Sequence, residues 1–105
     1  MDARTRGRER LADAAADLID RADVSVGRMF GSEGYSVRGK LFAFVAADGD
    51  LVVKLPEARI AELALAPMVM RGRPMREWAI VPFARDGEWA AITGEALDFV
   101  DEISP

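Results

Sequence analysis

Between residues 24 and 83, short apolar runs are interrupted by tight glycine-bearing turns, a pattern that points to an antiparallel sheet. Arg38-Gly39 separates 35–37 from 40–47, Asp48-Gly49 separates that run from 50–55, and Gly72-Arg73-Pro74 separates 68–70 from 77–83. Connections this short join only antiparallel neighbours. Asp-Gly is the strongest of the signals, because a type I′ turn needs positive φ at both central residues. Upstream, Val24, Val26, Arg28 and Phe30 alternate with Ser25, Gly27 and Met29, which predicts a strand over 24–30 and a glycine loop over 31–34. Leu51, Val53 and Leu55 fall on one face of the 50–55 strand, Val52 and Lys54 on the other.

Helical spacing flanks and interrupts these strands. Leu11, Ala14 or Ala15, Leu18, Ile19 and Ala22 form one stripe and predict a helix over 8–22, with residues 1–7 loose. Pro56 suits the first turn of a helix over 57–66, ended by Pro67. Asp86 suits the N-cap of a last helix reaching Ile103, with Trp89, Ile92, Ala96, Val100 and Ile103 inward and Phe99 beside them. Pro82 should stop the last strand early or confine it to an edge. The element order is α, three or four strands, α, two strands, α. It predicts one α+β domain over 1–105, a two-layer sandwich on an antiparallel sheet.

One strand departs from the simple pattern. Over 40–47, Leu41, Ala43 and Val45 alternate with Phe42, Phe44 and Ala46, so both faces are apolar. A half-solvated strand should show one polar face. Either helices cover both sides of the sheet or a partner covers the second.

The side chains available for chemistry are few. With no cysteine and no histidine, the chain has no thiolate metal site, no cysteine nucleophile and no imidazole base. The expectation is a protein that is not an enzyme and carries no cofactor or metal. The net charge of −4 is unevenly placed. Residues 24–85 hold nine Lys or Arg against six acids, whereas 86–105 hold six acids and no base. Four arginines within the first ten residues lead into Ala- and Asp-rich sequence, not into a secretory apolar run. No run of about 18 apolar residues occurs, so no membrane association is expected and the expected location is cytoplasmic.

The ordered motifs Arg28-Met29-Phe30-Gly31, Gly34-Tyr35, Val37-x-Gly39-Lys40-Leu41-Phe42-Ala43 and Leu51-x-x-Lys54 resemble the N-terminal domain of TfoX-type proteins. After an intervening helix, Arg71-Gly72-Arg73-Pro74-Met75-Arg76-Glu77-Trp78 is similar to the second block of that family, which usually reads Gly-Gly-Lys-Pro-Met. The resemblance spans about residues 10–103. It implies a bacterial protein of α+β fold, related to the YgaC-like domains and more distantly to the MmcQ/YjbR group. It brings no catalytic residues with it. TfoX itself regulates natural competence, and many of its relatives carry a second, helical domain that this sequence does not contain.

Arg28, Lys54, Arg71, Arg73 and Arg76 form the candidate binding surface, with Arg71, Arg73 and Arg76 gathered around one glycine-proline turn. Guanidinium groups so placed suit phosphate or carboxylate. With Tyr35 and Trp78 nearby in the pattern, single-stranded nucleic acid is conceivable, although the sequence pI of about 4.8 opposes it. Met29, Met68, Met70 and Met75 could line an adaptable groove, with core filling the plainer role. The functional expectation is a regulatory or protein-interaction module, self-associating or binding another protein. Its alternative is a nucleic-acid-binding module built on the basic turn and sheet.

Overall fold

The computed structural model describes residues 1–29 and 32–104. Among them the order is α1 (Ala3–Ala14), β1 (Val24–Met29), β2 (Ser32–Val37), β3 (Lys40–Val45), β4 (Leu51–Lys54), α2 (Glu57–Glu62), β5 (Ala66–Met70), β6 (Arg73–Val81) and α3 (Trp89–Ile103). The strands form one sheet in the order β1-β2-β3-β4-β6-β5, and every pairing is antiparallel. The α+β two-layer architecture expected from the sequence is therefore present.

One face of the sheet carries the core. Val37, Ala43, Val45, Leu51, Val53, Ala79 and Val81 pack against Leu11 and Ala15, against Ile60, and against Trp89, Ile92, Ala96, Leu97 and Val100. Each fully buried aliphatic or aromatic side chain there contributes about 1.5–3 kcal/mol. The stripe expected on α3 is buried as far as Val100, while Ile103 is exposed.

The turns differ in kind from the expectation. Positive φ at both central residues occurs at Arg38 (48°) with Gly39 (81°), and at Arg71 (53°) with Gly72 (76°). Arg73 and Pro74, expected in a turn, are instead the first residues of β6. Pro74 is tolerated because β4 pairs with β6 only from Trp78 onward, leaving β5 as its single neighbour there. At Asp48-Gly49 only Gly49 is left-handed (91°). The connection is a five-residue loop over 46–50, closed by the Gly49 amide on the Ala46 carbonyl (2.9 Å) and the Ala46 amide on the Asp50 carbonyl (2.9 Å). The Asp48 carboxylate accepts from the Asp50 amide at 3.0 Å, the local turn chemistry typical of Asp. Of the loop expected over 31–34, Ser32, Glu33 and Gly34 belong to β2, and Phe30 and Gly31 lie outside the described residues.

The helices begin and end elsewhere than their spacing suggests. α1 starts at Ala3 rather than residue 8, where the Asp2 carboxylate accepts the Thr5 amide at 2.8 Å. It ends at Ala14 and gives way to a short 3₁₀ turn over Leu18–Asp20. Its position is fixed by Gly7, where a Cβ would stand 2.4 Å from the Gly49 carbonyl oxygen and 2.8 Å from Val45 Cγ1. α2 ends at Glu62, well before Pro67. Ala64 takes a left-handed φ of 56°. Its amide donates to the Ala61 carbonyl (3.0 Å) and the Leu65 amide to the Ile60 carbonyl (3.1 Å), a Schellman cap made without glycine. Pro67 lies within β5, an edge strand that can accommodate it. Pro82 follows the end of β6 at Val81, and a 3₁₀ turn over Phe83–Glu88 precedes α3. Asp86 is not the N-cap of α3; its carboxylate accepts from Arg10 Nε at 3.1 Å.

A β-bulge settles the odd strand. Tyr35 pairs with Ala43 but Ser36 pairs with Leu41, so Phe42 is an extra residue in β3. Phe42 and Ala43 are both buried in the core. The expected grouping of Leu41 with Ala43 and Val45 is thereby broken, and Leu41 falls with Phe44 on the opposite face.

The open sheet face and its groove

The residues that alternate with the core set define a second sheet face. By register it carries Ser25, Gly27, Gly34, Ser36, Leu41, Phe44, Val52, Lys54, Ile80, Trp78, Met75, Arg73, Ala66, Met68 and Met70. Among the described residues no helix lies across this face: the buried hydrophobic residues of all three helices belong to the opposite core, and only Arg4, in the first turn of α1, reaches round to this side. Val52 is nevertheless only 1% exposed and stands outside that core. It is the cross-strand partner of both Phe44 and Ile80, so flanking side chains cover it. Phe44 and Trp78 meet at 5.9 Å between ring centroids with planes tilted by 56°. That geometry is favourable for the aromatic quadrupoles. Lys54 Nζ lies 5.8 Å from the Trp78 ring centroid, the outer range of a cation–π contact.

Toward one end the face deepens into a groove of about 360 Å³, bounded by Leu41, Phe44, Val45, Ala46, Ala47, Met68, Met70, Met75, Trp78 and Arg4. Arg4 is the single charged residue in that lining. It reaches the groove because Gly7 lets the first turns of α1 sit directly on the 46–50 loop, where Ala3 also crowds Gly49. The Arg4 Nε is buried and makes no hydrogen bond, and no described residue forms an ion pair with its guanidinium. Along the outer edge, Val69 and Met70 of β5 are exposed.

The five cationic residues expected to form one surface are not brought together. Arg28 lies near the end of β1, four strands from β6 and so about 19 Å away across the sheet. Its register with Glu33, Val26 and Tyr35 puts it on the helix-side face. Lys54 stands alone on β4 beside Trp78. Arg76 is turned toward α2, with Nε 3.6 Å from Glu57 Oε1. Only Arg71 and Arg73 remain neighbours, both exposed on the β5–β6 hairpin, with no ion pair among the described residues.

Other cations have structural duties. Arg38, held at positive φ in its turn, pairs with the Asp101 carboxylate and donates to the carbonyls of Asp101 and Ser104 at 3.1 Å each. It thus satisfies free carbonyls at the end of α3. Arg21 joins it by binding Asp23 (2.9 Å) and Asp101 (3.4 Å). Hydrogen bonds from Arg38, then from Arg21, hold the Asp101 carboxyl below its usual range, and Arg21 does the same for Asp23. Arg59 grips Glu95 with two bonds of 2.7 and 3.1 Å and ties α2 to α3.

The sequence pointed to the methionines as a partner groove only as the less ordinary reading, yet Met68, Met70 and Met75 line this one. Apolar periodicity begins only at Leu11 and leaves residues 1–7 outside the helix, so it gives no place to Arg4, which the structure puts in the first turn of α1. The signals that could have found it are Asp2 three residues before Thr5, an N-cap spacing, and a glycine at residue 7 within helix-forming sequence.

Among the described residues no group of three or more Asp or Glu is placed to hold a metal ion, and no helix is long and apolar enough to cross a membrane. The chain matches no model of a known protein family and no curated protein.

Proposed function

We propose that this chain is a non-enzymatic regulatory or protein-interaction module, of the TfoX N-terminal type that its motifs resemble, and that it works through the open face of its sheet. The observation that supports this reading is the apolar second face. Phe44 and Ile80 flank a buried Val52, and Leu41 and Trp78 lie further along the same face, with no helix above them among the described residues. Contiguous apolar surface of this kind marks interaction sites, and Met-rich surfaces adapt to a partner's shape.

The charge on the face selects the partner. By register its charged residues are Lys54 and Arg73, Arg4 overhangs its groove, and no carboxylate of the described residues lies on it. A second copy presenting the same face would supply no acid to these cations. A different protein with an apolar segment flanked by Asp or Glu supplies both terms, and electrostatic complementarity of this sort steers association.

Capture from cell extract by the wild type and by a Phe44→Glu/Met70→Glu double variant tests the reading, with light scattering on both. Proteins retained by the wild type and lost from a still-folded variant are the expected result. Identical capture by the two would overturn it. Concentration-dependent dimerisation lost in the variant would instead favour self-association. The nucleic-acid reading draws on Arg71 and Arg73, exposed beside an aromatic-bearing face. It predicts co-purifying nucleic acid that declines in an Arg71→Ala/Arg73→Ala variant and in added salt.

A further inference from the structure

The groove at the Arg4 end has a character of its own. Its volume of about 360 Å³ lies at the small end of the range for small-molecule sites, roughly 300–1,000 Å³. Its walls are three methionines, Leu41 and the Phe44–Trp78 pair, an apolar trough that is half open to solvent and has one adaptable side. Arg4 is the one charged group on the lining. A buried guanidinium nitrogen without an acceptor is unfavourable, since desolvation is not repaid by a hydrogen bond. Nε itself is closed to solvent, so a carboxylate in the groove would be placed against the two terminal guanidinium nitrogens and would accept two parallel hydrogen bonds from them. No carboxylate of the protein provides this among the described residues.

We infer that this groove is a binding site for a small amphipathic organic acid, its carboxylate on Arg4 and its apolar body against Trp78, Phe44, Met68, Met70 and Met75. The inference rests on the reading of the open face as the working surface, and adds a ligand class and an anchoring residue to it. The alternatives fit less well. A neutral apolar ligand leaves Arg4 unmatched. A cationic amphiphile meets Arg4 directly, and the lining offers it no acid.

Tryptophan fluorescence reads this site. Trp78 lines the groove, whereas Trp89 is fully buried in the core with its indole nitrogen bonded to the Pro82 carbonyl at 3.2 Å. Titration with decanoate below its micelle concentration should change the emission saturably. A Trp78→Phe variant should lose that change. Arg4→Gln should weaken decanoate roughly tenfold or more while leaving decanol binding unaltered, which also reports an intact groove. Decyltrimethylammonium should bind the wild type more weakly than decanoate does. Failure of the wild type to bind decanoate saturably, equal binding of decanoate and decanol, or unchanged decanoate binding in Arg4→Gln would each overturn the acid site. Protein capture dependent on Phe44 and Met70 would survive those failures and keep the open-face reading separate.

Discussion

The two faces of the sheet are built from alternate residues of the same strands, yet they have different roles. On the helix side, Leu51, Val53, Ala79 and Val81 are shut off from water by α1, α2 and α3. On the other side, Val52 is shut off only by its neighbours, while Trp78, Phe44 and Met75 remain partly accessible. Burial by itself therefore does not identify structural residues. What separates the faces is which element does the covering, and on the open face the covering side chains are themselves the candidate contact residues.

The two tryptophans make the sharpest contrast. Trp89→Ala should destabilise the protein by about 3–5 kcal/mol, because a fully buried aromatic leaves a cavity among packed neighbours. Trp78→Ala, on the open face, should cost about 1–2 kcal/mol. Urea unfolding of both variants measures the difference, and equal losses would mean that the open face is as structural as the core. Next in size is Gly7→Ala. The added methyl meets backbone at 2.4 Å, so α1 must shift off the 46–50 loop. An expected loss of about 1–3 kcal/mol should come with reduced decanoate affinity, since Arg4 rides on the same helix. Retained affinity at reduced stability would uncouple the groove from the helix seat. The smallest effect is a gain: Ala64→Gly relieves a left-handed alanine at φ 56° and should stabilise by up to about 1 kcal/mol. An unchanged midpoint would show that the Schellman cap already absorbs that strain.

Several parts of this architecture are legible in the sequence for physical reasons. Arg38-Gly39 is a reliable turn because glycine takes the second left-handed position at no steric cost. The period-two pattern of Leu51 to Lys54 assigns each residue to its face correctly, since nothing interrupts β4. The helix boundaries were less legible. Asp86 has the chemistry of an N-cap, but a partner 76 residues away in sequence, Arg10, occupies its carboxylate. Ala64 carries no turn signal at all, and what holds it is its own amide on the Ala61 carbonyl together with the next amide, Leu65, on the Ile60 carbonyl. The candidate surface was the least legible part. Five cations close in motif space are distributed over β1, β4, β6 and the β5–β6 turn by the strand order, and a long-range ladder such as β4–β6 leaves no local trace of which strands will be neighbours. The groove depends on a contact between residue 7 and residue 49, beyond the reach of any periodicity.

The bulge at Phe42 has one more consequence, which concerns chain length. Without that residue, Leu41, Ala43, Phe44 and Val45 would still alternate outward, inward, outward, inward against β2 and β4. Phe42 is therefore supernumerary with respect to the reading frame of the strand: it fills the interior without exchanging the inner and outer sets. A hairpin of this design can gain or lose a residue at one position and keep every other side chain on its own side of the sheet, which makes the length of β3 a variable that selection can adjust independently of what the outer surface displays.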